Sequence, residues 1–210
     1  MERVVERPDA PCGYRPDPVT GDDRRILRED DPRTTDLLAA GWRVRHRSWG
    51  ARLRRADLGT LRPLTEVAGY RVEEADSAAD LGIAALETAV RADYPGGPAT
   101  APAVRDAAAI TVLGRAGTRF FAAVDGGDRV VAVTAIRRDG EHAETDFTSV
   151  APAHRRRGLA VAVKAASVLA LAGDGVQVFG TGGAAENAGS LAMNARLGYE
   201  ITERWLTLER

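Results

Sequence analysis

Residues 148–164 read TSVAPAHRRRGLAVAVK. An extended run ends at Val150, Pro152 turns the chain, His154 to Arg157 gather four basic side chains, and Gly158 opens an apolar run. That order predicts a strand, a tight loop and a helix. The first amides of a helix have no intrahelical partner, and the macrodipole concentrates partial positive charge there. A glycine at that point lets an anion approach the backbone, and flanking arginines add charge-assisted hydrogen bonds. The combination suits a pyrophosphate. Four basic residues alone would read as a solvated turn; the strand before them, the helix after them and Gly158 favour the anion site. Neither GxxxxGK[ST] nor GxGxxG is present.

Composition narrows the classes. The chain has 210 residues and a net charge of −1 from 29 basic and 30 acidic side chains, so any attraction for anions is local. Lys164 is the sole lysine, and arginine bias lowers the weight of any single arginine. Nucleic acid is therefore not an expected partner. Cys12 is the only cysteine, which excludes an intrachain disulfide, and His46, His142 and His154 have no ligand spacing, so no metal is expected. No apolar run reaches membrane-spanning length, and the opening MERVVERPDAPCG lacks the apolar core of a signal peptide; the expected location is cytoplasmic, without membrane contact.

Periodicity supplies the elements. Residues 1–30 read as irregular with at most short strands. Thr34 or Thr35 is expected to cap a short helix that Gly41 ends, and Trp42 to Arg54 alternate as a strand whose arginines 43, 45 and 47 form the wet face. Residues 59–69 read as a linker. YRVEEA (70–75) is a strand, Ser77 is expected to cap a helix to Tyr94, YPGGP breaks it, and 101–113 read as a second helix. Three strands follow within 119–150, turned at Asp125-Gly126-Gly127-Asp128 and Arg138-Asp139-Gly140-Glu141. A helix from Leu159 to Leu171, a central strand VQVFG (176–180), a helix from Glu186 to Leu197 and a strand YEITERWLTL (199–208) complete the chain. One weak echo links residues 37–53 with 193–208: each is a helix, a Gly-aromatic pair, then a Trp-bearing strand. Trp42, Trp49 and Trp205 are expected in the core rather than in a pocket.

Arg155-Arg156-Arg157-Gly158-Leu159-Ala160 resembles the Arg/Gln-x-x-Gly-x-Gly/Ala loop of the GNAT superfamily of acyl-CoA-dependent N-acyltransferases, and the element order from Tyr70 is similar to that fold. TGGAAENAGSLAMNARLGYE (181–200), with Thr148, Val150, Pro152, His154, Arg155, Gly158, Leu159 and Lys164, resembles the GNAT branch that includes the C-terminal domain of mycothiol synthase. The resemblance implies an α/β fold with a mixed, mostly antiparallel sheet flanked by helices, over residues 66–210. Residues 1–65 then read as a small N-terminal α/β appendage, the tail of a degenerate GNAT unit plus a linker.

The resemblance also implies roles. Two parallel strands, TDFTSV and VQVFG, would splay to admit the pantetheine of acetyl-CoA. Thr148, Ser149 and Val150 would face it, with the Val150 amide as oxyanion donor. Arg155, Arg156, Arg157, Gly158, Leu159 and Ala160 would hold the pyrophosphate. Asn187 would contact the pantetheine arm, and Asn194 stands where many members carry an acidic tyrosine, leaving the general acid unassigned. Gly183 stands where the closer branch has asparagine. A protonated amine cannot attack a thioester, so a base is needed; Glu144, with Asp146 two residues on, is the candidate, against the reading of both as solvated strand carboxylates. The implied activity is acetyl transfer to an unidentified small-molecule or peptide amine, by direct attack in a ternary complex, in a monomer or homodimer. A non-catalytic acyl-CoA-binding module is the alternative, and a nucleic-acid-associated protein a weaker one.

Overall fold

The computed structural model describes residues 23–94 and 105–210. Cys12, the expected irregular start up to residue 22 and the break after Tyr94 lie outside the described residues. The described elements are β1 (Arg24–Arg28), α1 (Arg33–Ala39), β2 (Arg43–Arg54), β3 (Tyr70–Ala75), α2 (Asp80–Val90), α3 (Ala107–Arg115), β4 (Thr118–Asp125), β5 (Val130–Asp139), β6 (His142–Val150), α4 (Leu159–Gly173), β7 (Val178–Ala184), α5 (Ala188–Arg196) and β8 (Glu200–Glu209).

All eight strands form one sheet in the order β1-β8-β2-β7-β6-β5-β4-β3. The pair β6–β7 is parallel and every other described pair is antiparallel. Helix α4 covers one face: Val161, Ala165, Val168 and Leu171 pack with Leu53, Ile136, Ala143 and Phe179. Helices α2 and α3 cover part of the other, where Ile83, Leu86 and Ile110 meet Phe120, Val133 and Phe147. This is the mixed α/β architecture the sequence predicts.

The segment expected as an appendage is built into the sheet. Strand β2 lies between β7 and β8, with Ser48 to Arg54 paired to Ala184 to Val178 on one side and Arg43 to Arg52 paired to Glu209 to Glu200 on the other. Trp49 is 1% exposed and donates Nε1–H to the Ala184 carbonyl at 3.1 Å. The expected linker is two short 3₁₀ turns that bury Leu61 in the same core.

The echo between the chain ends is structural. Gly41 and Gly198 have φ of 90° and 86°. Each ends its helix with the same pair of bonds: Gly41 and Trp42 N–H to the Leu38 and Leu37 carbonyls, Gly198 and Tyr199 N–H to those of Ala195 and Asn194. Each then feeds a strand, and those strands, β2 and β8, lie side by side.

Several boundaries differ from expectation for local reasons. Neither Thr34 nor Thr35 caps α1; Pro32 occupies that position and the Asp31 carboxylate accepts the Arg33 amide instead. Asp76 rather than Ser77 caps the turn before α2. Helix α3 begins later, at Ala107, because Asp106 accepts the Ala109 amide at 2.8 Å. Strand β7 begins at Val178 and runs past residue 180 through Gly182 and Gly183 to Ala184, since pairing with β2 holds the glycines extended.

A chain beginning at residue 66 should therefore fail to unfold cooperatively in urea, because it lacks the strand that β7 and β8 both pair with. A transition within about 1 kcal/mol of the full-length chain would contradict this assignment of β2.

Candidate active site

The sheet opens at its one parallel pair. Strands β6 and β7 pair only over His142, Ala143 and Glu144 against Val178, Phe179 and Gly180. Above Glu144 and Gly180 they part, although β6 stays paired to β5 up to Val150 and β7 stays paired to β2 up to Ala184. Each arm of the fork thus keeps its outer partner and has no strand on its inner side. Successive strand amides point alternately to the two neighbours. The Ala151 amide bonds the Val131 carbonyl on the β5 side, so the amides of Val150 and Thr148 face the gap. The Val150 carbonyl is taken by Arg155 Nε at 3.2 Å.

A bulge sets which side chains share a face. Ala135 pairs with Phe147 but Ile136 with Thr145, leaving Asp146 as the inserted residue. Thr148 therefore faces the α4 side, where its hydroxyl meets that of Thr134 at 2.8 Å, while Phe147 faces α2 and α3. Glu144 alternates with Ala143, which packs on the α4 side, so its carboxylate lies on the opposite face.

A cavity of about 810 Å³ occupies the fork and continues to the start of α4. Of the residues expected at the cofactor, Thr148, Ser149, Val150, Arg155, Arg156, Gly158, Leu159, Ala160 and Asn187 line it. Gly158 has φ of 87°, which favours glycine, and nothing lies within 4 Å of where its Cβ would be. The first bond of the helical ladder is Ala162 N–H to the Gly158 carbonyl, so the preceding amides of Leu159 to Val161 are directed out of the helix end. Arg155 pairs with Asp93 as well as with Val150. Asn187 uses Oδ1 to cap α5 through the Ser190 amide, which leaves its NH₂ for the cavity.

Three expected residues are not in the cavity wall. Arg157 is exposed beside the loop. Asn194 is buried behind the wall, where Oδ1 accepts Lys164 Nζ–H at 2.7 Å and Nδ2 donates to the Ser190 carbonyl. Glu144 sits at the closed end of the fork, its carboxylate over Gly180, where an added Cβ would lie 1.9 Å from Oε2. Arg52 reaches the same glycine from β2 and pairs with Glu203 at 3.3 Å. Oε2 of Glu144 and Nη1 of Arg52 are buried without hydrogen-bond partners among the described residues. Burial pushes the Glu144 carboxyl up to about 7, against the opposing charges of Arg52 and Lys164. A Cβ at Gly183 would lie 3.1 Å from the Trp49 ring.

Lys164, which the pattern contains without a role, and two residues outside it, Tyr94 and Arg105, complete the site. Lys164, 1% exposed, lines the cavity from α4 and also donates to Thr181 Oγ1 at 2.8 Å. On the opposite wall the Tyr94 hydroxyl meets Ser149 Oγ at 2.8 Å. Arg105 stacks over Phe147 at 4.1 Å and reaches Glu87 at 3.3 Å and Asp146 at 3.5 Å. Burial raises the Glu87 carboxyl and pushes the Tyr94 phenol up to about 12. Among the described residues no cluster of His, Cys, Asp and Glu could hold a metal, and no helix is long and apolar enough to cross a membrane.

Residues 83–199 match the model of the acetyltransferase (GNAT) family. Among solved structures, the chain is similar to a GCN5-related N-acetyltransferase from Sphaerobacter thermophilus (15% identity, TM-score 0.68, 89% of this chain and 58% of that one). It is similar also to a tandem GNAT protein from the clavulanic acid biosynthesis pathway (19%, 0.63, 89% and 63%) and to a GCN5-related N-acetyltransferase from Kribbella flavida (19%, 0.60, 89% and 67%). The chain thus spans about three-fifths of the first two of these. No curated protein matches it.

The raised Glu144 carboxyl has a thermodynamic consequence. Its folded pKa of about 7 lies above the unfolded value, so the native state holds the extra proton between about pH 4.5 and 7 and stability falls as pH rises through that window. Urea denaturation of Glu144→Gln should show that variant about 1–3 kcal/mol more stable than wild type at pH 8, with the gap closing at pH 5. Parallel pH profiles would contradict the burial of an ionisable carboxyl there.

Proposed function

The chain belongs to the acetyltransferase (GNAT) family, and from that premise we propose that it moves an acetyl group from acetyl-CoA to the primary amine of a small molecule or peptide. Members of the family are acetyltransferases; donor, acceptor class and mechanism are our reading for this chain. The observation that carries it is the fork, in which two strand arms with unpaired inner edges border a cavity ending at a glycine-opened helix.

The residues present fit such a donor. The outward amides at the start of α4, with Arg155 and Arg156 beside them, suit a pyrophosphate. The gap-facing Thr148 and Val150 amides suit the peptide-like pantetheine arm, which would take the place of a strand. An amide in that row can donate to the thioester oxygen as it gains negative charge, and the Val150 N–H is our candidate. At the closed end, the unpartnered Glu144 Oε2 can accept a proton from an incoming ammonium, which must be neutral to attack. Transfer is then direct, in a ternary complex. The placement within the mycothiol synthase branch rests on the sequence pattern of residues 148–164 and 181–200.

Gly158→Glu puts a carboxylate, on a residue that must hold positive φ, beside the proposed pyrophosphate site. Calorimetry should show acetyl-CoA affinity falling on the order of 100-fold or more in a variant that still folds, its unfolding midpoint lowered by the strain of a side chain at positive φ. Retained affinity in the folded variant would refute the loop assignment. Glu144→Gln should slow thiol release on the order of 100-fold at saturating donor while leaving donor affinity alone. Unchanged turnover across pH would remove Glu144 from the reaction. Donor binding by wild type with no thiol released to any of a panel of amines would favour the binding-module alternative.

A further inference from the structure

We propose that Lys164 gives the departing thiolate its proton. The inference rests on the transfer reading above and extends it to the other half of the chemistry, for which the sequence pattern leaves the acid unassigned.

Thr145 and Thr181 are the first residues of the two arms above the last paired residues, Glu144 and Gly180. Lys164 Nζ donates to Thr181 Oγ1 at 2.8 Å, which fixes the ammonium at the closed end of the gap. Its second bond, to Asn194 Oδ1 at 2.7 Å, and the Tyr199 ring 4.6 Å away hold it from behind. Lys164 lies six positions after Gly158, about 9 Å along the helix axis. One helix thus presents an anion site at its start and an ammonium well down the same cavity. A donor with its phosphates at the helix start would lay its arm along the gap and bring its thioester toward this end.

Glu144 and Lys164 lie at one vertex on opposite faces of the sheet. Proton removal from the amine on one face and proton delivery to sulfur on the other are then spatially separate. Lys164 meets Thr181 from β7, Asn194 from α5 and Tyr199 just before β8, and the one charge it feels is that of Glu144 from β6. Burial pulls the ammonium down to about 7, against the Glu144 charge. Other donors in the wall are less suited. Arg105 and Arg155 do not release protons. Tyr94 is held to Ser149 by a hydrogen bond and its phenol is pushed up to about 12. His154 is turned to the Tyr70 hydroxyl at 2.9 Å, on the helix-start side of the cavity. A lysine, unlike the arginines that supply nearly all the chain's other cations, can part with its proton.

The step balances. The neutral amine attacks the thioester carbon and forms the C–N bond; collapse breaks the C–S bond and leaves the electron pair on sulfur. Lys164 passes a proton to that sulfur and becomes a neutral amine. The proton lost by the acceptor nitrogen reaches solvent through Glu144, and solvent returns one to Lys164. No redox partner is involved.

The test uses the full chain, acetyl-CoA and its selenium analogue, in which a selenoester replaces the thioester. A selenolate is a far weaker base than a thiolate and leaves without a proton. Lys164→Gln keeps an N–H donor for Thr181 and Asn194 but has no proton to give. We expect its turnover with acetyl-CoA to fall on the order of 100-fold. We expect the loss to shrink to a few-fold with the selenoester, while acetyl-CoA affinity stays near wild type. Unchanged turnover, or equal loss with both donors, overturns the proton role and leaves the transfer reading standing. Wild type that binds acetyl-CoA but turns over no amine overturns both. A measurement on wild type guards against a variant that does not fold: isotope-labelled lysine gives a single side-chain signal in this chain. That signal should titrate well below an ordinary lysine and shift on adding acetyl-CoA. An ordinary titration, untouched by the donor, overturns the proposal.

Discussion

The structure turns on the parting of β6 and β7. Backbone N–H and C=O groups need partners, and leaving one buried and unpaired costs about 1–3 kcal/mol. A sheet that opens in its middle leaves two inner edges short of partners, so something must keep it from closing. Here each arm is anchored on its outer side, β6 by β5 and β7 by β2. Lys164 on α4 ties the β7 arm to α5 from below, and Tyr94 holds Ser149 of the β6 arm from the α2 side. The gap is a consequence of those ties, and a peptide-like chain is the ligand shape that would satisfy both edges.

This explains why β2 matters to the site although it contributes no residue to the cavity wall. It is the outer partner that holds the β7 arm, and its Trp49 bonds Ala184 at the tip of that arm. Its Arg52 shares the face of Glu144 across Gly180, where the missing side chain gives the carboxylate room. The charges gathered at the vertex are buried, and burial is the first cause of the shifts of Glu144 and Lys164 toward neutrality from opposite directions. Two groups so placed suit proton traffic near neutral pH.

Much of this was legible in the sequence, and the reasons are specific. The strand-loop-helix reading of residues 148–164 holds because alternation, Pro152 and Gly158 are local signals. The three hairpin-linked strands hold for the same reason, with Asp125 taking the Gly127 and Arg129 amides at the first turn. The insertion of β2 was hidden, because strand order is a long-range property and its only trace was the weak echo with residues 193–208. The bulge at Asp146 was hidden as well, since it depends on register with β5. The pattern places Asn194 at the donor, but the structure spends its Oδ1 on Lys164, which the same pattern contains without assigning it a role. Tyr94 ends the first expected helix and Arg105 falls within the second, so helical periodicity marked neither as a site residue.

The central claim is that the inner edges of the fork seat the acyl donor, and amide hydrogen exchange with and without acetyl-CoA tests it most directly. Saturating donor should slow exchange in residues 145–150 and 159–161, with little change in β3 and β4. Saturated binding that leaves those amides unprotected, or protects only surfaces remote from the fork, would contradict the account.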